Sequence, residues 1–269
     1  MLAEKIIDFP LNSSNNSAHS NSEKPNNLGN SSEVQPFRTK EEIQKVFDNI
    51  NTKIKESEYS EAKKYIWERN KLLIFLGMNI GLRGSDLCKL RWCDILNNDG
   101  SIVDKTKVRP QKTTKKTSTK RKTGNTIDIT PSYTGKYVDI FLNGNVKKVI
   151  QEYLNKYPYD STEDYIFLSR KGNNKPLCRK SLARIIKEVS TNIEGNFGSH
   201  SLRKTFGYQR YNNCDDKKRA LVYLQKLFGH TSTDVTLRYI GILDEDLQEF
   251  TEDITIGYDV LDSTSFDER

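Results

Sequence analysis

Residues 198–207 read GSHSLRKTFG, a segment that places His200 and Arg203 three residues apart at the predicted start of a helix. Side chains at this spacing lie on one face of a helix, so the imidazole and the guanidinium can converge on one point. The N–H groups of the helix start, which follows Gly195 and Gly198, face the same region and favour an anion. The segment therefore suits a phosphate, although a lone His-x-x-Arg pair is more often two solvated polar residues.

A second segment, residues 227–239, reads LFGHTSTDVTLRY. Gly229 is predicted to end one helix, and residues 231–234 to cap another that carries Tyr239 about two turns in. His230, one of only three histidines in the chain, stands between the two helices. Because a tyrosine on a helix usually serves in packing, this segment indicates a site only in combination with others.

The third segment, residues 81–92, reads GLRGSDLCKLRW. Arg83 follows a predicted helix break, and Asp86 stands three residues later, where its carboxylate can hold the guanidinium in position. A salt bridge that merely caps a helix is the alternative. The three segments together, with Tyr239 nine residues after His230, form an order and spacing that arises by chance much less often than any segment alone.

These segments resemble the signature boxes of the tyrosine recombinase family, the phage integrases and Xer-type resolvases, over roughly residues 36–250. The resemblance implies a catalytic domain of the DNA breaking-rejoining fold, mainly α-helical with a small antiparallel β-sheet or hairpin. It implies a site-specific recombinase or integrase that cleaves and rejoins double-stranded DNA through a covalent 3′-phosphotyrosine. It also implies a homo-oligomer, a tetramer on paired DNA sites.

The resemblance assigns a role to each site residue of the three segments. Arg83 and Arg203 would clamp the phosphate, and His200 would be a hydrogen-bonding or proton-accepting partner. His230 would be a further phosphate donor, and Tyr239 would be the nucleophile. We expect no cofactor and no metal, because a phosphotyrosine keeps the energy of the broken bond and the sequence has no Walker A motif or acidic metal-ligand cluster.

The family also uses a lysine on a β-hairpin as general acid, usually within a compact Lys-Thr-Gly-Lys type turn. In this sequence the pattern is divided between PQKT at residues 110–113 and TGKYVDIFL at residues 134–142. We therefore predict Lys112 as the general acid, with Lys136 and Lys122 as the alternatives.

The net charge of +7 is concentrated in one region of the 269-residue chain. Residues 101–136 hold ten Lys or Arg against two Asp, whereas residues 244–269 hold ten acids against one Arg. Such a basic region favours a polyphosphate partner, and we predict a DNA-contacting basic loop at residues 113–135, inserted in the catalytic domain. The acidic C-terminal tail, residues 251–269, should be repelled by DNA and is expected to contact protein.

The N-terminal segment almost lacks apolar side chains over residues 12–34, so residues 1–35 are predicted to be a disordered Asn/Ser-rich arm. This leaves no room for the family's N-terminal DNA-gripping domain. The chain thus resembles short, catalytic-domain-only members such as the fimbrial phase-variation invertases, and an accessory DNA-binding protein is a candidate partner. Without a membrane-length apolar run or a secretion signal, we expect a cytoplasmic, nucleoid-associated protein with no membrane partner.

Other functions also fit parts of this pattern. Helices predicted near residues 181–190 and 200–211 could form the helix-turn-helix of a non-catalytic DNA-binding regulator, although a regulator would not need Tyr239 at its spacing. A degenerate, inactive integrase would account for the divided hairpin motif. A type IB topoisomerase uses a similar tyrosine, and it would relax supercoils without strand exchange.

Overall fold

The computed structural model describes residues 34–110, 115–123, 126–134 and 137–242, with side chains described outside residues 111–136. The elements in these ranges are α1 (Lys40–Glu56), α2 (Glu61–Ile80), α3 (Gly84–Leu87), α4 (Trp92–Ile95), β1 (Lys105–Val108), β2 (Lys115–Thr123), β3 (Thr126–Thr134), β4 (Val138–Phe141), α5 (Gly144–Lys156), α6 (Arg179–Val189), α7 (Ser201–Asn212), α8 (Lys217–Phe228) and α9 (Thr233–Ile240). The prediction of a mainly α fold with a small antiparallel β element is confirmed. Nearly all of the predicted arm, and the whole acidic tail, lie outside the described residues.

The chain divides into two compact units, with the division between Phe206 and Gly207 inside α7. Within the described ranges, the first unit covers residues 34–206 and the second covers residues 207–242. The catalytic domain predicted over residues 36–250 therefore includes residues of both units.

Helix α2 forms part of the hydrophobic core of the first unit and packs against α1, α3 and α5. Ser60 caps its N-terminus, where the hydroxyl accepts a hydrogen bond from the N–H of Lys63. The helix ends at Gly81, whose φ of 66° lies in the left-handed region that glycine tolerates best. The end at Gly81 agrees with the helix break predicted before Arg83.

Helix α1 begins with the predicted capping box. The Thr39 hydroxyl accepts a hydrogen bond from the N–H of Glu42 at 3.1 Å, and the Glu42 carboxylate accepts one from the N–H of Thr39 at 3.2 Å. Just before the box, the N–H of Phe37 donates to the Thr205 hydroxyl at 2.8 Å, and the Phe37 ring stacks on Phe197 with 4.3 Å between centroids. The chain entering α1 thereby fixes the segment on either side of His200.

The four strands form two antiparallel pairs, with β2–β3 nested inside β1–β4. In the outer pair Lys105 lies opposite Phe141, and in the inner pair Thr123 lies opposite Thr126 across two residues. The prediction of a basic loop over residues 113–135 is therefore wrong, since most of this region is a β-hairpin. Its β-branched residues favour strands, and the Gly-Asn dipeptide between β2 and β3 is a hairpin signal.

The second unit holds α8, α9 and the last half of α7. Helix α8 ends at Gly229, which has a φ of 69°, and α9 is capped by the Ser232 hydroxyl, which accepts from the N–H of Val235 at 3.3 Å. Gly207 permits close packing here, because a Cβ at this position would lie 2.5 Å from Ile240 Cγ2. The predicted helix end at Gly229 and the predicted cap within residues 231–234 are both confirmed.

A helix that crosses a bilayer must be both long and predominantly apolar. In the ranges that the structure describes, no helix meets both conditions.

Candidate active site

In the first unit, Arg203 is held by the turn that contains Arg83. Its side chain is buried, with 3 % exposure, and Nη1 donates a hydrogen bond of 2.6 Å to the carbonyl oxygen of Gly81. A Cβ at Gly81 would lie 2.7 Å from the Phe206 ring, so the turn also packs closely against α7. The guanidinium is therefore bonded to a residue only two positions before Arg83, before any ligand binds.

Arg83 and His200 emerge from backbone segments that touch each other. Arg83 precedes Gly84, and a Cβ at Gly84 would lie 2.9 Å from the carbonyl oxygen of Ser199, the residue before His200. Both Arg83 and His200 are half-buried, so each side chain remains partly accessible to solvent. The first unit thus brings together the segments that carry Arg83, His200 and Arg203, and the phosphate-binding roles of these residues stay predictions.

His200 lies at the start of α7, a helix of 12 residues. Its carbonyl oxygen accepts the N–H of Lys204 at 2.9 Å, and the preceding turn is closed by a bond of 3.0 Å from the N–H of Gly198 to the Ser201 hydroxyl. The amino end of a helix carries a partial positive charge, which adds to the charges of Arg83 and Arg203. This arrangement favours binding of an anionic group at His200.

Asp86, predicted to support Arg83, is buried in α3 with 3 % exposure. Its backbone N–H donates to the carbonyl oxygen of Arg83 at 2.9 Å, and the Ser85 hydroxyl donates to its carboxylate at 3.5 Å. A buried carboxylate is stabilised by hydrogen bonds and nearby cations, and the turn places Asp86 close to Arg83 in the chain. The supporting role of Asp86 stays a prediction.

Two further cations near His200 are not among the predicted site residues. Arg179, the exposed first residue of α6, donates from Nε to the Ser199 hydroxyl at 3.2 Å. Lys204 follows Arg203 in α7 and is only 4 % exposed. Burial of a lysine depends on the tertiary packing, so no local sequence signal marks Lys204, whereas the Arg-Lys pair at residues 179–180 is a visible basic feature.

In the second unit, His230 is oriented by a buried threonine. His230 Nδ1 lies 3.0 Å from Thr236 Oγ1, and the Thr236 hydroxyl donates its own proton to the carbonyl oxygen of Ser232 at 3.2 Å. The direction of the hydrogen bond between His230 and Thr236 depends on the tautomer of the imidazole. When Nδ1 carries the proton and donates to Thr236, Nε2 donates a hydrogen bond only in the positively charged imidazole.

Tyr239 packs directly against His230. Its ring lies edge-on to the imidazole with centroids 5.0 Å apart, and edge-on to Phe228 with centroids 5.4 Å apart. Tyr239 is half-buried near the end of α9, which Gly241 terminates with a φ of 82°. The second unit thus places two further residues of the predicted site, His230 and Tyr239, side by side.

The predicted general acids fall in the basic segment of the sequence, residues 101–136. Lys112 and Lys136 are outside the described residues, and Lys122 occupies a position in β2 opposite Ile127. The assignment of the general acid therefore stays a prediction, with Lys112 as first choice.

Two cysteines of the first unit differ chemically. Cys178 caps α6 beside Arg179, and a hydrogen bond with the Ser181 hydroxyl lowers the pKa of its thiol. Cys88 ends α3, and burial raises the pKa of its thiol to about 12. Cys88 is therefore a neutral packing residue.

Among the described residues, no group of three His, Cys, Asp or Glu is placed to hold a metal ion.

Comparison with known proteins gives consistent matches. The phage integrase family matches residues 37–245. A probable integrase/recombinase, YoeC of Bacillus subtilis (strain 168), is 31% identical over 218 residues, which cover 79% of this chain and 92% of that protein. Tyrosine recombinase XerC of Caldanaerobacter subterraneus subsp. tengcongensis (strain DSM 15242 / JCM 11007 / NBRC 100824 / MB4) is 27% identical over 220 residues, 79% of this chain and 49% of that one.

A solved structure is similar in fold. The crystal structure of XerA recombinase superposes with a TM-score of 0.51 at 17% sequence identity, covering 84% of this chain and 66% of that chain. The match spans slightly less than two thirds of the XerA chain, and it concerns the fold alone.

Proposed function

Because the chain belongs to the phage integrase family, we propose that it is a site-specific recombinase that cuts and rejoins DNA strands through Tyr239. Membership in the family identifies a protein of the recombinase type. The roles proposed below for single residues depend on the chemistry of their side chains.

The observation that carries this proposal is the preorganised cation cluster of the first unit. Arg203 is buried and bonded to the Gly81 carbonyl, while Arg83 and His200 emerge from the two touching backbone segments. A guanidinium matches the geometry of a phosphate and stays protonated at all relevant pH values. The presence of two guanidiniums beside the N-terminus of a helix supports the proposal that the bound group is a phosphodiester.

In the proposed cleavage step, the phenolic oxygen of Tyr239 forms a bond to phosphorus, and the bond from phosphorus to the 5′ oxygen breaks. His200 accepts the phenol proton, and Lys112 donates a proton to the leaving 5′ oxygen. The products are a 3′-phosphotyrosine and a free 5′ hydroxyl. Since one phosphodiester replaces another, attack by a 5′ hydroxyl reverses the step and joins strands without an external energy source.

Charge builds up on the non-bridging phosphoryl oxygens in the transition state. Arg83 and Arg203 stabilise this charge more than they stabilise the ground state, and such donors contribute most when they are fixed in advance. His230 adds a donor from Nε2, since Nδ1 faces Thr236. A tyrosine hydroxyl has a reference pKa of about 10, so these cations also favour its deprotonation.

The proposed partner is double-stranded DNA. The concentration of Lys and Arg in residues 101–136 supports this choice, since cations that neutralise phosphates release counterions from DNA. Assembly as a tetramer on paired sites, help from an accessory DNA-binding protein and association with the nucleoid are further parts of the same proposal.

Capture of the covalent intermediate tests the function. The full chain would be incubated with duplex fragments of the source organism's DNA that carry nicks, so that the short cleaved strand diffuses away and the adduct accumulates. We expect a complex that survives denaturation, with the DNA attached to the peptide containing Tyr239 by mass spectrometry, and sequencing would identify the site.

Other outcomes of the same experiment would identify the competing functions. Fragments that bind reversibly but never form an adduct would indicate a DNA-binding regulator or an inactive integrase. An adduct accompanied by plasmid relaxation, without exchange between two sites, would indicate a topoisomerase.

A further inference from the structure

The hydrophobic core packs on only one face of the outer strand pair, β1–β4. Thr106 lies opposite Ile140 and Val108 opposite Val138, and Ile140, Val108 and Val138 pack into or against the hydrophobic core. Because side chains alternate along a strand, the intervening residues lie on the opposite face. This face, called the outer ribbon face, consists of Lys105, Lys107, Asp139 and Phe141, together with Arg109 and Tyr137, which directly follow β1 and precede β4 and contact each other.

Two large aromatic side chains on the outer ribbon face are exposed. Tyr137 has 54% exposure and Phe141 has 59%. Phe141 ends β4 and Tyr137 directly precedes it, so extended backbone places the two residues about 13 Å apart, roughly four nucleotides at a stacked spacing of about 3.4 Å. The hydrophobic core of the first unit packs on the opposite face of the strands. It therefore does not require either aromatic ring.

Each aromatic ring is accompanied by a cation. The Arg109 guanidinium lies 4.7 Å from the centre of the Tyr137 ring and donates from Nη2 to the phenolic oxygen at 2.6 Å. Lys105 Nζ lies 5.0 Å from the centre of the Phe141 ring and 3.4 Å from the Asp139 carboxylate. With Lys107 also exposed, the face holds three cations against one carboxylate and is net positive.

Exposed aromatic rings beside cations match the chemistry of unpaired nucleic acid. Such a strand offers base faces for stacking and a phosphate backbone for the cations, whereas a duplex hides its base faces. We propose that the outer ribbon face binds unpaired DNA, with Tyr137 and Phe141 stacking on bases and Lys105, Lys107 and Arg109 contacting phosphates. The inference rests on the proposed function in taking DNA as partner, since strand cleavage by Tyr239 would release such an unpaired strand.

The competing explanation is purely structural. Lys105 and Phe141 are direct cross-strand neighbours, and such pairs stabilise a ribbon without any ligand. If the pair only stabilises the ribbon, replacing one of its residues should reduce folding stability. It should then change the affinity for single-stranded and duplex DNA equally. Binding measurements with both forms of DNA therefore separate the two explanations.

The test compares a fluorescent oligothymidylate of roughly 20 nucleotides, longer than the site sizes of about 4–16 nucleotides common for such surfaces, with a duplex of equal length. Fluorescence anisotropy would give the Kd of each for the full chain and for Tyr137→Ala, Phe141→Ala and the double variant. Tyr59→Ala is the matched control, because Tyr59 is a fully exposed tyrosine elsewhere in the same unit. Tyr137→Leu and Phe141→Leu keep an apolar side chain and guard against loss of folding, which thermal unfolding would reveal.

We expect each alanine or leucine variant to bind the oligothymidylate at least about fivefold more weakly, as for loss of one stacked base. Duplex binding should change less than about twofold, and Tyr59→Ala should bind both DNA forms like the wild type. Equal losses for both forms, unchanged single-strand binding or no single-strand binding by the wild type would overturn the inference. Covalent capture by the wild type is measured separately, so an adduct without single-strand binding would refute this inference and leave the proposed function standing.

Discussion

Arg203 is fixed by the protein before a phosphate arrives. It is almost fully buried, and the carbonyl oxygen of Gly81 accepts a hydrogen bond from its guanidinium. A cation held in this way needs little reorganisation during the reaction, which is the condition under which electrostatic stabilisation is most effective. The same bond ties α7 to the turn that carries Arg83, so the residue acts in stability as well as in the proposed catalysis.

Replacing Arg203 should therefore change two measurable quantities. Arg203→Ala should lower the single-turnover rate of adduct formation on the order of a hundredfold or more, comparable with loss of an oxyanion donor. It should also lower the free energy of unfolding by about 1–3 kcal/mol, because the Gly81 carbonyl loses its buried donor. Urea denaturation would measure the second effect.

Two matched variants define what this result means. Arg91→Ala removes an arginine of the same unit from a partly exposed salt bridge with Glu163, and it should leave the cleavage rate unchanged and stability within about 1 kcal/mol. Arg203→Lys keeps the charge but loses the planar fork, so its rate should be intermediate. A normal rate in Arg203→Ala would exclude Arg203 as a phosphate-binding residue.

At the scale of single residues, the sequence predicts those parts of the site that depend on local spacing. His200 and Arg203 belong to one turn of helix, and His230 and Tyr239 are separated by one helix start, so their placement follows from nearby residues. The contact between Gly84 and Ser199 joins segments more than a hundred residues apart, and only the family resemblance indicated it. The bond from Arg179 to Ser199 is also a tertiary contact, so local spacing does not predict it.

At the scale of elements, helix ends are predicted well and the basic hairpin is not. Gly229 ends α8 as predicted, and Thr39 and Ser60 cap α1 and α2 by the same kind of local chemistry. The charge of residues 115–134 favours a solvated loop. The β-branched residues and the Gly-Asn turn signal outweigh the charge, because both favour paired strands.

The basic hairpin should carry a large part of the salt-dependent affinity for DNA. A variant with glutamine at all five basic positions of β2 should show a flatter dependence of log K on log salt concentration, by roughly 0.9 for each phosphate that the variant no longer neutralises. The positions are Lys115, Lys116, Lys120, Arg121 and Lys122. Anisotropy titrations of a duplex at several salt concentrations would measure the slope.

The control for this variant removes the same number of charges from helical positions of the first unit. The control positions are Lys40, Lys45, Lys53, Lys55 and Lys63. If the hairpin contacts DNA, the control should flatten the slope less than the hairpin variant does. An unchanged slope in the hairpin variant would mean that the hairpin points away from DNA.

At the scale of the whole molecule, the proposed chemistry draws on residues of both units. Arg83, His200 and Arg203 belong to the first unit, whereas His230 and Tyr239 belong to the second. The proposed function requires that these residues act on one phosphate, so a change in either unit should impair the same reaction.

The acidic residues of the segment 244–269 are expected to avoid DNA, which agrees with the proposal that this segment contacts a neighbouring subunit in a tetramer.

Formation of a covalent protein–DNA adduct by Tyr239→Phe tests the central claim most directly. The change removes one oxygen and none of the phosphate-binding cations, so DNA affinity should stay within about twofold of the wild type while adduct formation on nicked DNA is abolished. Tyr223→Phe is the matched control, because Tyr223 is a 58% exposed tyrosine of the same unit, and it should form the adduct at the wild-type rate. If Tyr239→Phe still forms the adduct, Tyr239 is not the nucleophile, and the proposed mechanism is wrong.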